Sequence, residues 1–445
     1  MAGVRGIALG HLEDGESGWM SLSGGDLMPG LVGCSYEQKL MEGEFVEEDL
    51  RLDLRGSQAE IHAVLARLEG LAWQIQLDGS GAQPSALYLR IWDDTQHAYW
   101  HSRVWEARLE SLRGHWQALE RGSVSVCLVI RRENHFDGAE SALPVGNTGG
   151  GGLGGAVVWN HDDSGAGHDS WFSISTASLG LAEPAPLKLA ITNLDAQALG
   201  DVFIGGLQVS GGGSVPKLTL EGEAGSGATV VSRTDASGGA FGRYTWVGDA
   251  WQPVGSWSIS MEDASLLNGR RLRPLARLAG ALTERIALRV AVGRAGESGQ
   301  AGAVALAPSG AEMVVLGSAR VPAWKVVNPV AAHNVILQAR AEGAGTHQLD
   351  LDYLLLMPTD GFRHYCNVGG LPMGATLMED GFLNQCWTVK DGLSWVSHAV
   401  VGEGLLLNPG SENRFYLAQL GLDGQAGITR AVRVLAWYRP RKRVL

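Results

Sequence analysis

The sequence predicts a mostly β protein made of β-sandwich domains, with one helix near the N-terminus. Glycine is abundant, at 63 of 445 residues, and it permits the tight turns that join short strands. Apolar residues alternate with polar ones along many short segments, as is typical of strands that bury one face. Helical spacing of apolar residues is clear in one segment. Together these observations favour short antiparallel strands packed as sandwiches.

The chain is long enough for several domains. At roughly 100 to 200 residues per domain, its 445 residues correspond to about two to four domains. Hydrophobic residues make up 45% and charged residues 18%, a composition that can fill buried cores and argues against disorder. The net charge of −12 argues against general nucleic-acid binding, because affinity for phosphates depends on clustered Lys and Arg.

Membrane insertion and secretion are not expected. No apolar run approaches the roughly 20 residues of a membrane-spanning helix, and the start, "MAGVRGIALGHLEDG", lacks the apolar core of a signal peptide. We therefore expect synthesis and assembly in the cytoplasm. The cysteines form no C-x-x-C pair and are expected to be reduced, buried thiols: Cys34, Cys127, Cys366 and Cys386.

One helix is predicted over residues 57–70. Ser57 and Glu60 form a capping box, in which each side chain accepts a hydrogen bond from the backbone amide of the other. Gly70 follows at a position suited to ending the helix. The apolar residues between them recur at helical spacing and predict a helix that covers a sheet: Ile61, Val64, Leu65 and Leu68, with Leu71 beyond.

The strands are predicted from alternation with period two. Each such segment carries apolar residues on one face and polar or mixed residues on the other. The clearest are "ALYLRIWDD", "SVSVCLVIRRE", "PLKLAITN", "RIALRVAVG" and "HQLDLDYLLLMP".

Composition suggests four regions. Two glycine-rich stretches, 147–155 and 209–217, are either flexible linkers or loop tips. The predicted regions are 1–143, a short β region at 144–215, a larger β-sandwich at 216–360 and a closing segment at 361–445.

Candidate metal ligands cluster in "NHDDSGAGHDSW", which offers imidazole and carboxylate groups within nine residues. The spacing fits neither an EF-hand nor a zinc motif, and a solvated loop between strands explains the cluster as well. The residues concerned are His161, Asp162, Asp163, His168 and Asp169.

Catalysis has no support in the sequence, and no cofactor is expected. The "NTGGGGLGG" stretch lacks the G-K-[ST] of a phosphate-binding loop, and neither a G-x-S-x-G elbow nor an H-E-x-x-H helix is present. Asp350 and Asp352 lie two apart on a strand, which an outward polar face explains better than a glycosidase pair.

The tryptophans in "RYTWVGDAWQPVGSW" allow two interpretations. Trp246 and Trp251 lie in a turn-rich segment bounded by glycine, where exposed rings could stack on sugars. Large aromatic residues also commonly fill sandwich cores and interfaces, so both interpretations stay open.

The order of these segments resembles the distal tail protein of long-tailed bacteriophages, which forms a ring at the tip of the tail tube. The first 140 residues resemble its belt domain through "DLRLDLRG", the capped helix, "LYLRIWDD", "YWHSRVWEARLESL" and "SVSVCLVIRREN". The ending, "LLLNPGSENRFYLAQL" and "AVRVLAWYRPR", resembles its last strands, and "GRRLRPLARLAG", "RIALRVAV" and "LDLDYLLLMP" resemble a galactose-binding-type jelly roll. No motif in the resemblance is catalytic.

The resemblance implies a non-enzymatic virion protein, located in the tail, that assembles into a closed ring of six copies. Its partners would be other copies of itself, the tail tube and hub or fibre proteins, with a host-surface glycan as a further ligand of the jelly roll. The segment 361–445 would return to the N-terminal domain, and the basic terminus would contact a neighbouring subunit through Arg439, Arg441, Lys442 and Arg443. A carbohydrate-binding β-sandwich protein outside any virion is the alternative, and a tail glycan hydrolase is a third.

Overall fold

In the computed structural model the chain is mostly β with several sheets, which confirms the predicted fold class. It divides into two compact units, Met1–Glu140 with Arg439–Leu445, and Ser141–Tyr438. No helix in the described part of the chain is long and apolar enough to span a membrane. The structure describes residues 6–12, 18–24, 27–42, 45–78, 86–94, 96–110, 120, 122–163, 165–179, 181, 183–210, 216–295, 297, 299–323, 332–395, 398–422, 427 and 430–443.

The first unit is an antiparallel sheet covered by a helix, α1 (Gln58–Asp78). Its strands are β1 (Ile7–His11), β2 (Met20–Ser21), β3 (Leu31–Glu42), β4 (Phe45–Arg55), β5 (Leu87–Asp93), β6 (Ala98–Leu109), β7 (Ser123–Glu133), β8 (Phe136–Asp137) and β36 (Arg441–Lys442). The main order is β2-β1-β5-β6-β7-β4-β3, with β8 on β6 and β36 on β8. Ile61, Val64 and Leu68 of α1 are fully buried in one core with Leu50 and Leu89 of the sheet.

The helix begins as predicted and ends later. The Ser57 amide donates to Glu60 Oε2 at 2.7 Å, and the Glu60 amide donates to Ser57 Oγ at 3.3 Å, which confirms the capping box. The predicted end at Gly70 is wrong, because α1 continues to Asp78. A helical glycine costs about 1 kcal/mol relative to alanine, and burial of Leu71 and Ala72 on the core offsets this cost.

The second unit contains a β-sandwich formed by both ends of its own chain segment. The strands are β9 (Ser141–Leu143), β10 (Val145–Asn147), β11 (Gly150–Gly152), β12 (Ala156–Trp159), β13 (Trp171–Ser175), β14 (Ala185–Asn193), β15 (Leu199–Ser210), β28 (Phe362–Leu371), β29 (Thr376–Asp380), β30 (Gln385–Lys390), β31 (Leu393–Trp395), β32 (His398–Gly402), β33 (Leu406–Leu407), β34 (Ser411–Gly421) and β35 (Ala431–Tyr438). One sheet has the order β11-β10-β13-β34-β15-β28-β32, and the other has the order β12-β35-β14-β29-β30-β31 with β33 on β14 and β9 on β35. Phe172, Ile191, Tyr365, Leu417 and Val434 fill the core between them.

A further sandwich is inserted between β15 and β28. The strands are β16 (Thr219–Glu221), β17 (Thr229–Ser232), β18 (Ala240–Val247), β19 (Gln252–Ile259), β20 (Arg271–Leu278), β21 (Ile286–Arg294), β22 (Gln300–Ala301), β23 (Ala305–Ala307), β24 (Met313–Val315), β25 (Ala319–Arg320), β26 (His333–Ala341) and β27 (Thr346–Pro358). One sheet has the order β17-β18-β27-β20-β24 with β16 on β27 and β25 on β20, and the other has the order β19-β26-β21-β22 with β23 on β21. A short helix, α2 (Met261–Leu266), follows β19.

The observed division differs from the four predicted regions. Residues 144–215 are half of a sandwich whose other half is 361–438, and of the predicted returning segment only the stretch from Arg439 onward belongs to the first unit. The glycine-rich stretch at 147–155 is a hairpin in a sheet, not a linker. A Cβ on Gly151 would lie 2.1 Å from the Val145 carbonyl oxygen, so close strand contact requires glycine there. The middle of the second stretch, 211–215, lies outside the described residues.

The "NPGSEN" turn before β34 is closed by buried side chains. Gly410 has φ of 65°, in the left-handed region, as expected for the reversal. Asn413 closes the turn through its side chain: its Oδ1 accepts from the Asn408 amide at 2.8 Å, and its Nδ2 donates to the Asn408 carbonyl. Thr176 Oγ1 donates to the same carbonyl at 2.7 Å. The turn is therefore held to the end of β13, the neighbouring strand of the same sheet.

A buried asparagine joins the two sandwiches of the second unit. Asn160 Nδ2 donates to the Gln419 carbonyl at 2.7 Å, and its Oδ1 accepts from the Gln419 amide at 2.8 Å. Its own carbonyl accepts from the Tyr353 hydroxyl, on β27 of the inserted sandwich, at 2.5 Å. Asn160 and Gln419 are fully buried, so water cannot replace these bonds.

We expect Asn160→Ala to destabilise this unit by about 2–3 kcal/mol, because the buried amide and carbonyl of Gln419 lose their partners. Urea denaturation measures the change in free energy of unfolding. Asn334→Ala, at a half-buried position on β26, is the control and should cost less than about 0.5 kcal/mol. Equal stability of the Asn160→Ala variant and the parent would contradict the assigned role.

Candidate functional site

The basic C-terminus forms a clamp within the first unit. Strand β36 pairs with β8, placing Arg441 beside Asp137. Arg441 Nε donates to Asp137 Oδ1 at 2.8 Å, and the Asp137 side chain is almost fully buried. His135 Nε2 lies 2.9 Å from Glu133 Oε2 and 3.5 Å from Asp137 Oδ2. Burial acts to lower the pKa of His135, but hydrogen bonds to Asp137 and Glu133 outweigh it, and the pKa is raised.

Neighbouring basic residues also have acidic partners in the same unit. Lys442 Nζ lies 3.4 Å from Asp93 Oδ2 and 4.3 Å from the centre of the Trp100 ring. Arg439 lies 3.8 Å from Glu140. Arg439, Arg441 and Lys442 therefore make contacts within the chain. The subunit contact predicted for these residues and for Arg443, which is exposed, stays a prediction.

The first unit has an open sheet edge. Strand β3 ends the order of the sheet, and within the described residues no strand pairs with its second side. It is 12 residues long, and Val32 on it is 54% exposed. A long edge strand presents unpaired N–H and C=O groups that can pair with another chain. This surface consists of β3 with its exposed side chains, and is called here the β3 edge.

A buried ion pair fixes Tyr36 at the β3 edge. The Tyr36 hydroxyl donates to Glu48 Oε1 at 2.7 Å, and Glu48 also pairs with Arg132, both fully buried. Burial, followed by the charge of Glu48, raises the pKa of Tyr36 to about 12. The phenol therefore stays protonated and hydrogen-bonded while part of its ring remains exposed.

Exposed tryptophans occur in the same unit. Trp73 on α1 is 61% exposed, and Trp105 on β6 is 43% exposed. The Phe45 ring lies edge-on to Trp105 at 6.2 Å, and the Arg103 guanidinium lies 4.1 Å from its centre. Trp105 lines a groove with a volume of about 390 Å³ that also has Ile75 at its wall. Exposed Trp and Arg are enriched at protein interfaces.

The two tryptophans that are candidates for stacking on sugars differ in how deeply they are buried. Trp246 is only 6% exposed and belongs to the core of the inserted sandwich, so its ring faces are not available to a sugar. It lies on β18, where alternation directs it inward. Trp251 is half-buried, and the guanidinium groups of Arg289 and Arg340 lie 4.2 and 5.3 Å from its ring centre. Arg289 also donates to Gln338 at 2.6 Å.

The His161–Asp169 cluster is accounted for by hydrogen bonds. Asp163 Oδ1 accepts from the amides of Gly165 and Ala166, and the rings of His161 and His168 are joined by a 3.1 Å nitrogen contact. Among the remaining acids, Asp162 accepts from Ser170 and Thr219, and Asp169 accepts from Thr148. The carboxylates are thus used to order the loop.

Asp350 and Asp352, the two acids on β27, each form an ion pair with an arginine. Asp350 is bound by Arg243 through two bonds of 2.8 Å. Asp352 pairs with Arg277 and is fully buried, so the predicted outward polar face does not hold for it. A carboxyl group with an altered pKa lies nearby: burial raises the pKa of Glu221 to about 7, and the charges of Glu223 and Asp162 add to the effect.

Comparisons with known proteins give no family. No protein-family description matches the chain, and no curated protein matches it. Among solved structures, an exo-β-1,3-galactanase from Phanerochaete chrysosporium is 12% identical, with 69% of this chain and 78% of that one covered and a TM-score of 0.21. The infectious bursal disease virus VP2 subviral particle is 9% identical, with 68% and 80% covered and a TM-score of 0.17. Scores this low carry no argument about function.

We expect Arg441→Ala to destabilise the first unit by about 2–4 kcal/mol, because it leaves the buried Asp137 carboxylate without its guanidinium. Hydrogen exchange of the α1 and β8 amides measures the loss. The control is Arg51→Ala, which removes an exposed pair with Glu37 and should cost less than about 1 kcal/mol. Unchanged protection in Arg441→Ala would show that the clamp does not stabilise this unit.

Glu221 should make the second unit less stable as pH rises. Its folded pKa is about 7 against 4.5 unfolded, so the folded state binds a proton more tightly between these values and stability falls across that window. We expect Glu221→Gln to be more stable than the parent by about 1–3 kcal/mol at pH 8, with a smaller difference at pH 5. The control is Glu342→Gln, at an exposed position. A pH-independent difference for Glu221→Gln would refute this.

Proposed function

We propose that the chain is a non-enzymatic structural subunit of a phage-like tail tip, and that its first unit forms a closed ring with other copies. The observation that carries this proposal is the β3 edge, a long strand left open in the same unit that exposes Trp73 and Trp105. The resemblance of this unit's segments to the belt domain of distal tail proteins supports it. Tail tube and hub or fibre proteins would be its other partners.

The chemistry of the β3 edge suits contact between identical subunits. Strand addition at an edge provides a row of main-chain hydrogen bonds, and the exposed part of the Tyr36 ring on β3 provides apolar area. An edge that pairs with a different surface of the next copy makes a head-to-tail contact, and such contacts close into a ring when the rotation allows it. The ring then leaves no edge exposed.

The Tyr36 side chain at the β3 edge is held in place before association, which lowers the entropy lost on binding. Its hydroxyl donates to Glu48, which in turn forms a buried ion pair with Arg132. In this proposal the second unit is the module carried by the ring. Its two sandwiches would serve as a spacer or as an adhesion module.

A carbohydrate-binding protein outside a virion is the second candidate. Trp251 favours it, because two guanidinium groups cover its ring. A stacked guanidinium keeps N–H donors in its plane that can bind a carboxylate or sulfate. The ligand would therefore be an anionic glycan held at Arg289 and Arg340, rather than a neutral sugar stacked on a bare ring.

The test is the mass of the full-length protein in solution, measured by mass photometry with and without tail proteins of the same particle. We expect a closed oligomer, with six copies if the resemblance holds. Val32→Lys should shift the distribution to monomer, because a charge at a pairing edge opposes strand addition. The matched control is Val230→Lys, which charges an exposed valine on β17, an edge strand of the inserted sandwich.

Two outcomes would contradict the proposal. One is a monomer under every condition. The other is a ring that the Val230→Lys variant breaks and the β3-edge variant leaves intact. A monomer that binds anionic glycans, and loses that binding when Arg289 and Arg340 become alanine, would favour the second candidate.

A further inference from the structure

Three side chains of metal-ligand type converge on one face of the first sandwich of the second unit. Asp201 on β15 is the direct partner of Cys366 on β28, and Phe203 is the partner of His364. Directly paired residues share a face of a sheet, as do residues two apart on one strand. Asp201, His364 and Cys366 therefore project together, and each is half-buried.

The distances between their ligand atoms suit a tetrahedral metal ion. His364 Nε2 lies 3.4 Å from Asp201 Oδ2 and 3.2 Å from Cys366 Sγ, and the three atoms lie within 4.8 Å of one another. Zinc binds at about 2.3 Å from sulfur and about 2.0–2.2 Å from nitrogen or oxygen, so its tetrahedral ligands are about 3.3–3.6 Å apart. The two separations from Nε2 are close to this spacing.

A catalytic relay explains this arrangement less well. In a Cys–His–Asp relay the acid contacts one ring nitrogen and the nucleophile contacts the other. Here Asp201 and the closer sulfur contact both involve Nε2, and Nδ1 lies farther from Cys366 Sγ, at 3.7 Å. Three ligand atoms of different type within 4.8 Å of one another are instead what a metal site requires.

The surroundings orient the histidine. The Phe203 ring stacks on the His364 imidazole with centres 4.2 Å apart, and Phe203 is itself buried in the core of the inserted sandwich. The stacking restricts the imidazole, which keeps Nε2 close to the other two ligand atoms. A preordered ligand lowers the entropy lost on metal binding.

A second cluster of metal-ligand side chains, Glu133, His135 and Asp137, is less suited to bind zinc. The Arg441 guanidinium already holds Asp137 at 2.8 Å, so a cation would have to displace it. The cluster also has no sulfur ligand, which is the group that selects zinc over hard cations.

We propose that Asp201, His364 and Cys366 bind one Zn²⁺ ion, with the fourth position open to water or to a ligand atom from a neighbouring molecule. The ion cross-links β15, the strand before the inserted sandwich, to β28, the strand after it. It therefore ties together the two strands that leave and re-enter this sandwich. Sequence spacing gives no motif for the site, because the inserted sandwich separates its ligands.

The test uses the full-length protein, freed of metal with a chelator and titrated with Zn²⁺ by calorimetry and with Co²⁺ by absorption spectroscopy. We expect one ion per chain, a near-ultraviolet thiolate-to-cobalt band, and a rise in Tm on adding Zn²⁺. Cys366→Ala should remove the band, and Asp201→Asn should weaken binding at least tenfold. The control is Cys386→Ala, another half-buried cysteine of the same sandwich, which should bind as the parent does.

The proposal is overturned by absence of stoichiometric binding to the parent, by Asp201→Asn binding as tightly as the parent, or by loss of the thiolate band in Cys386→Ala. Circular dichroism of the metal-free proteins checks that each variant is folded. Asp201→Asn keeps the size of the side chain and removes its charge, so it decides the question if Cys366→Ala is misfolded.

Discussion

The rest of the architecture depends on one constraint: the strand before each inserted segment pairs with the strand after it. In the first unit β36 returns to β8, and in the second β35 returns to β9. Gly205 on β15 pairs with Phe362 on β28 where the inserted sandwich leaves and re-enters. Because the two ends of each insertion are already neighbours, adding a folded sandwich between them requires little distortion of the parent sheet. The nested order of the chain follows from these pairings.

Buried polar groups then determine which surfaces are left for partners. Arg441 is used within the chain by Asp137, and Asn160 joins β34 to β27 of the inserted sandwich. Arg441 is a group that a reading of charge alone assigns to a subunit contact. What stays accessible is an edge strand, β3, and exposed aromatic rings. The proposed assembly therefore depends on main-chain pairing and apolar contact at the β3 edge, and attraction between a basic tail and an acidic neighbour is not required for it.

The elements with local signals could be predicted from the sequence, and those that depend on distant partners could not. Period-two alternation and the Ser57–Glu60 capping box are local, and both are confirmed. The end of α1 is not local, because core packing beyond Gly70 outweighs the cost of that glycine. Glycines flank the segment of Trp246, so the sequence left exposure and burial open, whereas its place on β18 buries it. Convergence of Asp201 with His364 required the fold, since the inserted sandwich separates them in sequence.

Cryo-electron microscopy of the assembled full-length protein tests the central claim, that the first unit assembles through its open edge, most directly. The account predicts a closed ring in which each subunit's β3 is in contact with the adjacent copy, with the second unit outside that contact. A particle whose subunits meet only through the second unit, with β3 facing solvent, would contradict it.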